Sequence, residues 1–211
     1  TGGKSTSTTG ATKCSLTRTP CEPGNARNED NVCKACIPGK RSPAGTTCEE
    51  CPESSYSAKE GATVCTLCPP GRYANSNAIT RDSLNATCLE CPRGKFASTA
   101  GVTSCDMCPP GSYCKSRGMS IGEPCPCGAS SDESGQFSCR DCPRGRYQLT
   151  TGAAKCTLCP LGKYNGFTGS EQYNSCLECH PGSYANQNGT AECSPCSCLL
   201  YTSPSPRDCR L

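Results

Sequence analysis

Apolar residues along the chain show no convincing helical periodicity. One aromatic instead recurs behind each of a series of Pro/Gly turns, as Tyr56, Tyr73, Phe96, Tyr113, Tyr147, Tyr164 and Tyr184. The turn in front of it reads Cys91-Pro92-Arg93-Gly94 or Cys142-Pro143-Arg144-Gly145. Pro is expected at the second turn position, where its φ is preset, with Gly closing the turn. Five residues past the aromatic comes another Gly, as at Gly61, Gly101, Gly152 and Gly189. That place suits the left-handed residue of a short hairpin, and Asn188-Gly189 is the strongest such signal. The pattern predicts a turn, a short strand, a second turn and a return strand, repeated with irregular loops between.

Composition explains why so little apolar pattern is needed. Cysteine supplies 25 of 211 residues and Trp none, the profile of a disulfide scaffold. Without the cysteines too few apolar residues remain to fill a core for one domain of this length, so several small units are expected. Persistent disulfides imply an oxidising compartment and hence an extracellular or cell-surface location. The formal net charge of +3 is small and dispersed, which argues against nucleic acid and anionic lipid as partners. No apolar run reaches the length of a membrane span. The chain starts at Thr1 and reads as a fragment.

Nine C-x2-C pairs lie between Cys33 and Cys196. Thirteen residues always separate Cys51 from Cys65, Cys91 from Cys105, Cys142 from Cys156 and Cys179 from Cys193, whereas the other intervals vary. A fixed length implies a fixed path, so the constant interval is placed inside a module and the variable ones become looser connections. The units expected are residues 1–47 (divergent), 48–87, 88–138 with a long insert, 139–175 and 176–197. The insert, Pro109 to Ser138, breaks the rhythm and is the expected specialised surface. It carries Cys114, Cys125 and Cys127, of which Cys127 is the odd one. Residues 198–211 are set apart. Cys198 to Asp208 reads CLLYTSPSPRD, the read-through translation of a sequencing-library transposase adapter, and is taken as a non-native tail.

Four cysteines permit three connectivities. The crossed one is adopted as the expectation, first to third and second to fourth: Cys14 with Cys33 and Cys21 with Cys36, Cys48 with Cys65 and Cys51 with Cys68, Cys88 with Cys105 and Cys91 with Cys108. It continues with Cys139 to Cys156, Cys142 to Cys159, Cys176 to Cys193 and Cys179 to Cys196. Each closed loop is worth about 3 kcal/mol in the chain-entropy picture.

The run C-x2-C-P-x-G-x-[YF]-x4-G-x3-C-x2-C, complete from Cys88 to Cys108 and from Cys139 to Cys159, resembles the ephrin-receptor-like cysteine-rich repeat. That repeat is grouped with the growth-factor-receptor and tumour-necrosis-factor-receptor type modules. The resemblance covers roughly Cys33 to Cys196, with departures at Ser54 (Gly expected), at His180 and in the long interval. It implies a small disulfide-rich fold: an extended tandem array of short β-hairpin and irregular modules with little helix. The function implied is a non-catalytic extracellular spacer or binding surface, with a protein ligand or a neighbouring surface or matrix protein as partner and no cofactor.

Sharper readings are weaker. C-x2-C-x13-C-x2-C is also a four-thiolate zinc spacing, but turn residues rather than a basic helix follow the first pair. His180 beside Cys179 could be a Cys/His nucleophile pair, yet the repeat assigns Cys179 to a structural bond. The aromatic series could be a stacking ladder for sugars or bases, with disulfide cover the plainer role. Asn85-Ala86-Thr87 and Asn188-Gly189-Thr190 are glycosylation sequons, so Asn85 and Asn188 are candidate modification sites.

Overall fold

The computed structural model describes residues 19–196. It consists of ten two-stranded antiparallel hairpins in sequence order, joined without crossovers. The first four pair β1 (Asn25–Arg27) with β2 (Cys33–Ala35), β3 (Lys40–Arg41) with β4 (Glu49–Glu50), β5 (Ser55–Tyr56) with β6 (Thr66–Leu67) and β7 (Arg72–Ala74) with β8 (Cys88–Glu90). Next come β9 (Lys95–Phe96) with β10 (Asp106–Met107), β11 (Ser112–Tyr113) with β12 (Glu123–Pro124) and β13 (Ala129–Ser130) with β14 (Arg140–Asp141). The last are β15 (Arg146–Tyr147) with β16 (Thr157–Leu158), β17 (Lys163–Tyr164) with β18 (Leu177–Glu178) and β19 (Ser183–Tyr184) with β20 (Ser194–Pro195). Helix is confined to α1 (Leu84–Thr87) and a 3-10 turn at Tyr173–Ser175.

Each hairpin opens on a turn of the expected kind; Pro stands second, as expected, in the turns that begin at Glu22, Ile37 and His180, and in the others a Pro stands first, shifted by one residue. Lys95 N–H donates to Pro92 O and Arg146 N–H to Pro143 O, so Pro is the first residue of the turn and Gly the third. Gly94 has φ +81°, the left-handed value that a type II turn demands at that place. The second Gly is left-handed too, as anticipated, but it does not close a tight hairpin. Gly189 (φ +78°) sits in the wide loop between Tyr184 and Ser194, and its N–H donates to Cys159 O of the preceding hairpin.

That hydrogen bond belongs to a ladder that joins every hairpin to the next. Gly94 N–H donates to Cys114 O, Ala97 N–H to Met119 O, and Gly118 N–H returns to Cys91 O. Equivalent triplets recur one hairpin on (Gly111 to Ser131, Cys114 to Gln136, Gly135 to Cys108) and again further on (Gly128 to Gln148, Ser131 to Ala153, Gly152 to Cys125). The hairpins therefore stack as a repeat chain in which each unit satisfies its neighbour's backbone groups. A second contact skips one unit: a Cβ on Gly94 would collide with Gly135 O, and one on Gly111 with Gly152 O. Glycine is required there both by φ and by the approach of another backbone.

The core is a column rather than a cluster. Apart from Tyr147, every buried apolar residue among those described is Cys or Ala. The residue just past the aromatic, or its equivalent, is buried in hairpin after hairpin: Ser42, Ser57, Ala74, Ala97, Cys114, Ser131, Gln148, Asn165 and Ala185. Only small side chains, or polar ones with partners, fit between stacked units. Asn165 Nδ2 donates to Arg146 O and Ser170 Oγ at 2.8 Å each, and its Oδ1 accepts from Phe167 N–H at 3.0 Å. The aromatics flank this column. Tyr147 packs on the Cys159–Cys176 disulfide and meets Tyr173 edge-on at 5.8 Å, fulfilling the expected cover at that hairpin, while Tyr184 is 37 % exposed.

Ser54 takes a glycine position at φ +65° and is buried. A side chain in the left-handed region costs about 1–2 kcal/mol, so Ser54→Gly should raise the denaturation midpoint by the equivalent of about 1 kcal/mol. Gly94→Ala should lower it by about 2 kcal/mol or more, through φ and the clash with Gly135 O two units along. Urea titrations of the two variants check both.

Candidate functional surface: the disulfide ladder and its one gap

Most hairpins are closed by a disulfide from the second cysteine of one C-x2-C pair to the first cysteine of the next. Cys51 bonds Cys65, Cys91 bonds Cys105, Cys142 bonds Cys156 and Cys179 bonds Cys193. The constant thirteen-residue interval is thus a single disulfide loop with a sequence separation of 14. The variable intervals are the same loop at other lengths: Cys36–Cys48 and Cys21–Cys33 span 12, Cys159–Cys176 spans 17 and Cys68–Cys88 spans 20.

The crossed pairing is therefore corrected. Cys48, Cys88, Cys139 and Cys176 do not bond forward to Cys65, Cys105, Cys156 and Cys193, but back to Cys36, Cys68, Cys125 and Cys159. Cys51, Cys91, Cys142 and Cys179 likewise do not reach Cys68, Cys108, Cys159 and Cys196. Cys21 bonds Cys33 rather than Cys36, and the expected partner Cys14 lies outside the described residues, as does the 198–211 tail. Cys196 is itself disulfide-bonded. The physical reason is strand geometry. The turn brings the cysteine in front of it back against the cysteine that leads into the return strand: Cys105 directly precedes β10, and its Cα lies 5.8 Å from that of Cys91, a separation that a disulfide spans.

The interval Pro109–Ser138 is not an insert. It holds one hairpin, β11–β12, and most of a second in full register, β13–β14, which is closed just past it by Cys125–Cys139 at the standard separation of 14. What breaks the cysteine rhythm is Gly122, which stands fourteen residues after Cys108, where the closing cysteine belongs. A Cβ at Gly122 would lie 3.2 Å from Cys108 Sγ, close to the ~3 Å between a Cβ and the far sulfur of a disulfide. Cys108 instead bonds Cys114, which occupies the buried column. Cys127 is the free thiol among the described residues, its Sγ 3.1 Å from Leu149 O. The signal that could have revealed this is Gly122-Glu123-Pro124-Cys125, a C-x2-C pair lacking its first cysteine.

Where the covalent bridge is missing, side chains join the strands. Lys115 Nζ lies 2.9 Å from both carboxylate oxygens of Glu123, which also accepts from the Tyr113 hydroxyl. The Lys115 and Tyr113 hydrogen bonds hold the Glu123 carboxyl below its ordinary range. The hydrogen bond to Glu123 holds the Lys115 ammonium above its own range, and the Tyr113 hydroxyl is raised by its bond to the same carboxylate. Similar cross-strand ion pairs, Arg72–Glu90 at 2.9 Å and Lys163–Glu178 at 3.9 Å, decorate hairpins that also carry a disulfide.

The remaining candidate residues are dispersed. Asn188 is exposed in the loop of the last hairpin. Asn85 is exposed on α1 with its Oδ1 3.5 Å from Arg72 Nη1, while Thr87 of the same sequon is buried. His180 is exposed, and its carbonyl accepts the Ser183 N–H and hydroxyl, taking the turn role of Pro. Its neighbour Cys179 is in a disulfide and offers no thiolate. The aromatics do not stack in series: Tyr147–Tyr173 is the ring pair among the described residues, and Tyr173 belongs to the 3-10 turn. Paired sulfurs are likewise not thiolate ligands for zinc. A shallow apolar groove beside the gap is lined by Phe96, Pro109, Pro110, Ile121 and Pro124.

The architecture defines a disulfide-stapled tandem β-hairpin repeat of the receptor-ectodomain kind. The family model described as "tyrosine-protein kinase ephrin type A/B receptor-like" matches residues 39–83, 80–125 and 128–176, and the chain belongs to this ephrin-receptor-like repeat family, a non-catalytic ectodomain module. No curated protein matches the chain at a significant level.

Because the Glu123 carboxyl titrates below its ordinary value of about 4.3, its contribution to the β11–β12 hairpin is complete above that pH. The contribution is lost as the pH falls through the lowered folded value. An NMR carboxyl titration should place the Glu123 midpoint below the ordinary glutamate value, and Lys115→Gln should move it upward. An unshifted midpoint in the parent protein would contradict the ion pair.

Proposed function

We propose that this segment is a non-catalytic spacer and protein-binding surface in the ectodomain of a secreted or cell-surface protein. The observation that carries the reading is the inter-hairpin ladder. Identical backbone hydrogen bonds from unit to unit give the stack a regular rise and resist bending, which is what a spacer needs. Disulfides at every step require an oxidising compartment. The exposed sequons at Asn85 and Asn188 supply carbohydrate sites there. The partner is a protein ligand or a neighbouring surface protein, for which exposed apolar side chains such as Ile79 (98 %) and Phe167 (70 %) supply contact points. The single hairpin is the structural unit, so the boundaries at 48, 88, 139 and 176 give way to boundaries inside each C-x2-C pair.

Small-angle scattering of the secreted chain tests the spacer. A compact chain of this length has a radius of gyration of about 17 Å, and the stacked array should exceed it by half or more; a value near 17 Å would defeat the reading. Enzymatic removal of N-glycans should lower the mass of the secreted protein, with Asn188→Gln abolishing the larger share because Asn85 is held on a helix beside a buried Thr87.

A further inference from the structure

Disulfide loops tile the described chain almost without interruption. One loop ends and the next begins across the two residues inside a C-x2-C pair, and those residues are fixed in strands, as Lys34 is in β2 and Arg140 in β14. The exception follows from Gly122. With Cys108 bonded to Cys114 and the next loop starting at Cys125, no disulfide between described residues spans residues 115–124. This stretch contains Lys115-Ser116-Arg117, all three exposed. Arg117 makes no side-chain hydrogen bond or ion pair among the described residues; the Lys115 side chain is tied by the solvent-exposed Glu123 contact, and its carbonyl accepts the exposed Arg93 Nε–H at 2.7 Å. Other loop cations, Lys59, Arg81 and Lys155, lie inside the loops closed by Cys51–Cys65, Cys68–Cys88 and Cys142–Cys156.

We propose that Lys115–Arg117 is a processing site for a basic-residue-specific serine endoprotease, and that cleavage there divides the array into two halves with no covalent link. An endoprotease needs a stretch of several residues to open locally, and a closed disulfide loop opposes that opening. Hydrolysis breaks the peptide C–N bond after Lys115 or Arg117. Water adds its oxygen to the carbonyl carbon to leave a carboxylate, and the new α-amine takes both of its protons and becomes an ammonium. The same cut at Lys59 or Lys155 leaves its fragments joined through sulfur. After cutting at 115–117 the described halves are held by noncovalent contacts alone, backbone hydrogen bonds such as Gly111 N–H to Ser131 O and Gly135 N–H to Cys108 O together with exposed side-chain contacts such as Tyr113–Glu123, so they part under denaturing conditions without reductant. The site acts as a built-in point of release for the outer half of the ectodomain, and to that extent it rests on the extracellular reading above.

The experiment is limited trypsinolysis of the oxidised full chain, read on unreduced denaturing gels and by mass mapping. Intact mass before digestion reports the disulfides, so a missing cystine deficit would overturn the extracellular reading, separately from the site. With the disulfides present, the first cut should fall after Lys115 or Arg117 and give two unreduced bands. Lys115→Gln/Arg117→Gln should slow the first cut about tenfold or more. Gly122→Cys/Cys114→Ser restores the regular bridge, and should slow the cut by a similar factor and leave any nicked chain as one unreduced band. A first cut at Lys59, Arg81 or Lys155, fragments that stay joined without reductant, or unchanged rates in the Gln variant would each overturn the proposal.

Discussion

The fold depends on the disulfide that ties the start of a hairpin to the residue leading into its return strand, present at every described hairpin but β11–β12. A unit of so few residues cannot bury enough apolar surface to offset the entropy of ordering it. The interior of the described residues confirms the shortage, since cysteine and alanine make up nearly all of its apolar part. Closing a loop with a sequence separation of 14 contributes about 3 kcal/mol per hairpin by restricting the unfolded chain. It also draws two strands together over only two paired residues each, a ladder too short to persist in water by itself.

Sulfur closes the units and backbone joins them. The glycines at the turn and in the wide loop let backbone segments approach until amide and carbonyl groups pair between hairpins, and at Gly94 and Gly111 a Cβ would collide with a carbonyl of another unit. This division of labour is visible where a sulfur is lacking. At Gly122 the closing bridge is absent, yet Gly94, Ala97, Gly111 and Gly118 make the same inter-hairpin hydrogen bonds as their equivalents elsewhere. Register is held by the stack, and the Tyr113–Glu123–Lys115 contacts bridge the strands that sulfur leaves untied. Exposed ion pairs are a weak substitute for a covalent bond, which makes this hairpin the place where the array opens most readily.

Much of the architecture was legible in residue types. Repeated Pro/Gly turns, a fixed aromatic and the constant cysteine interval announce tandem hairpins with little helix, and Gly61, Gly101, Gly152 and Gly189 are left-handed as their spacing suggests. The pairing was not legible, because a string of C-x2-C units has the same spacing whether a cysteine bonds within its group of four or back to the previous one. The apparent insert was misjudged for a related reason. Counting cysteines conceals a repeat in which one cysteine has become Gly122, and only the backbone register of β11–β12 and β13–β14 exposes it.

By itself the sequence determined the class of fold, since local turn chemistry and cysteine density leave a small module no other source of stability. Which sulfurs meet, which small residues form the buried column and where the covalent tiling lapses were decided by the tertiary structure alone. Each of those depends on how one hairpin stacks against the next, a relation between residues that spacing along the chain does not encode.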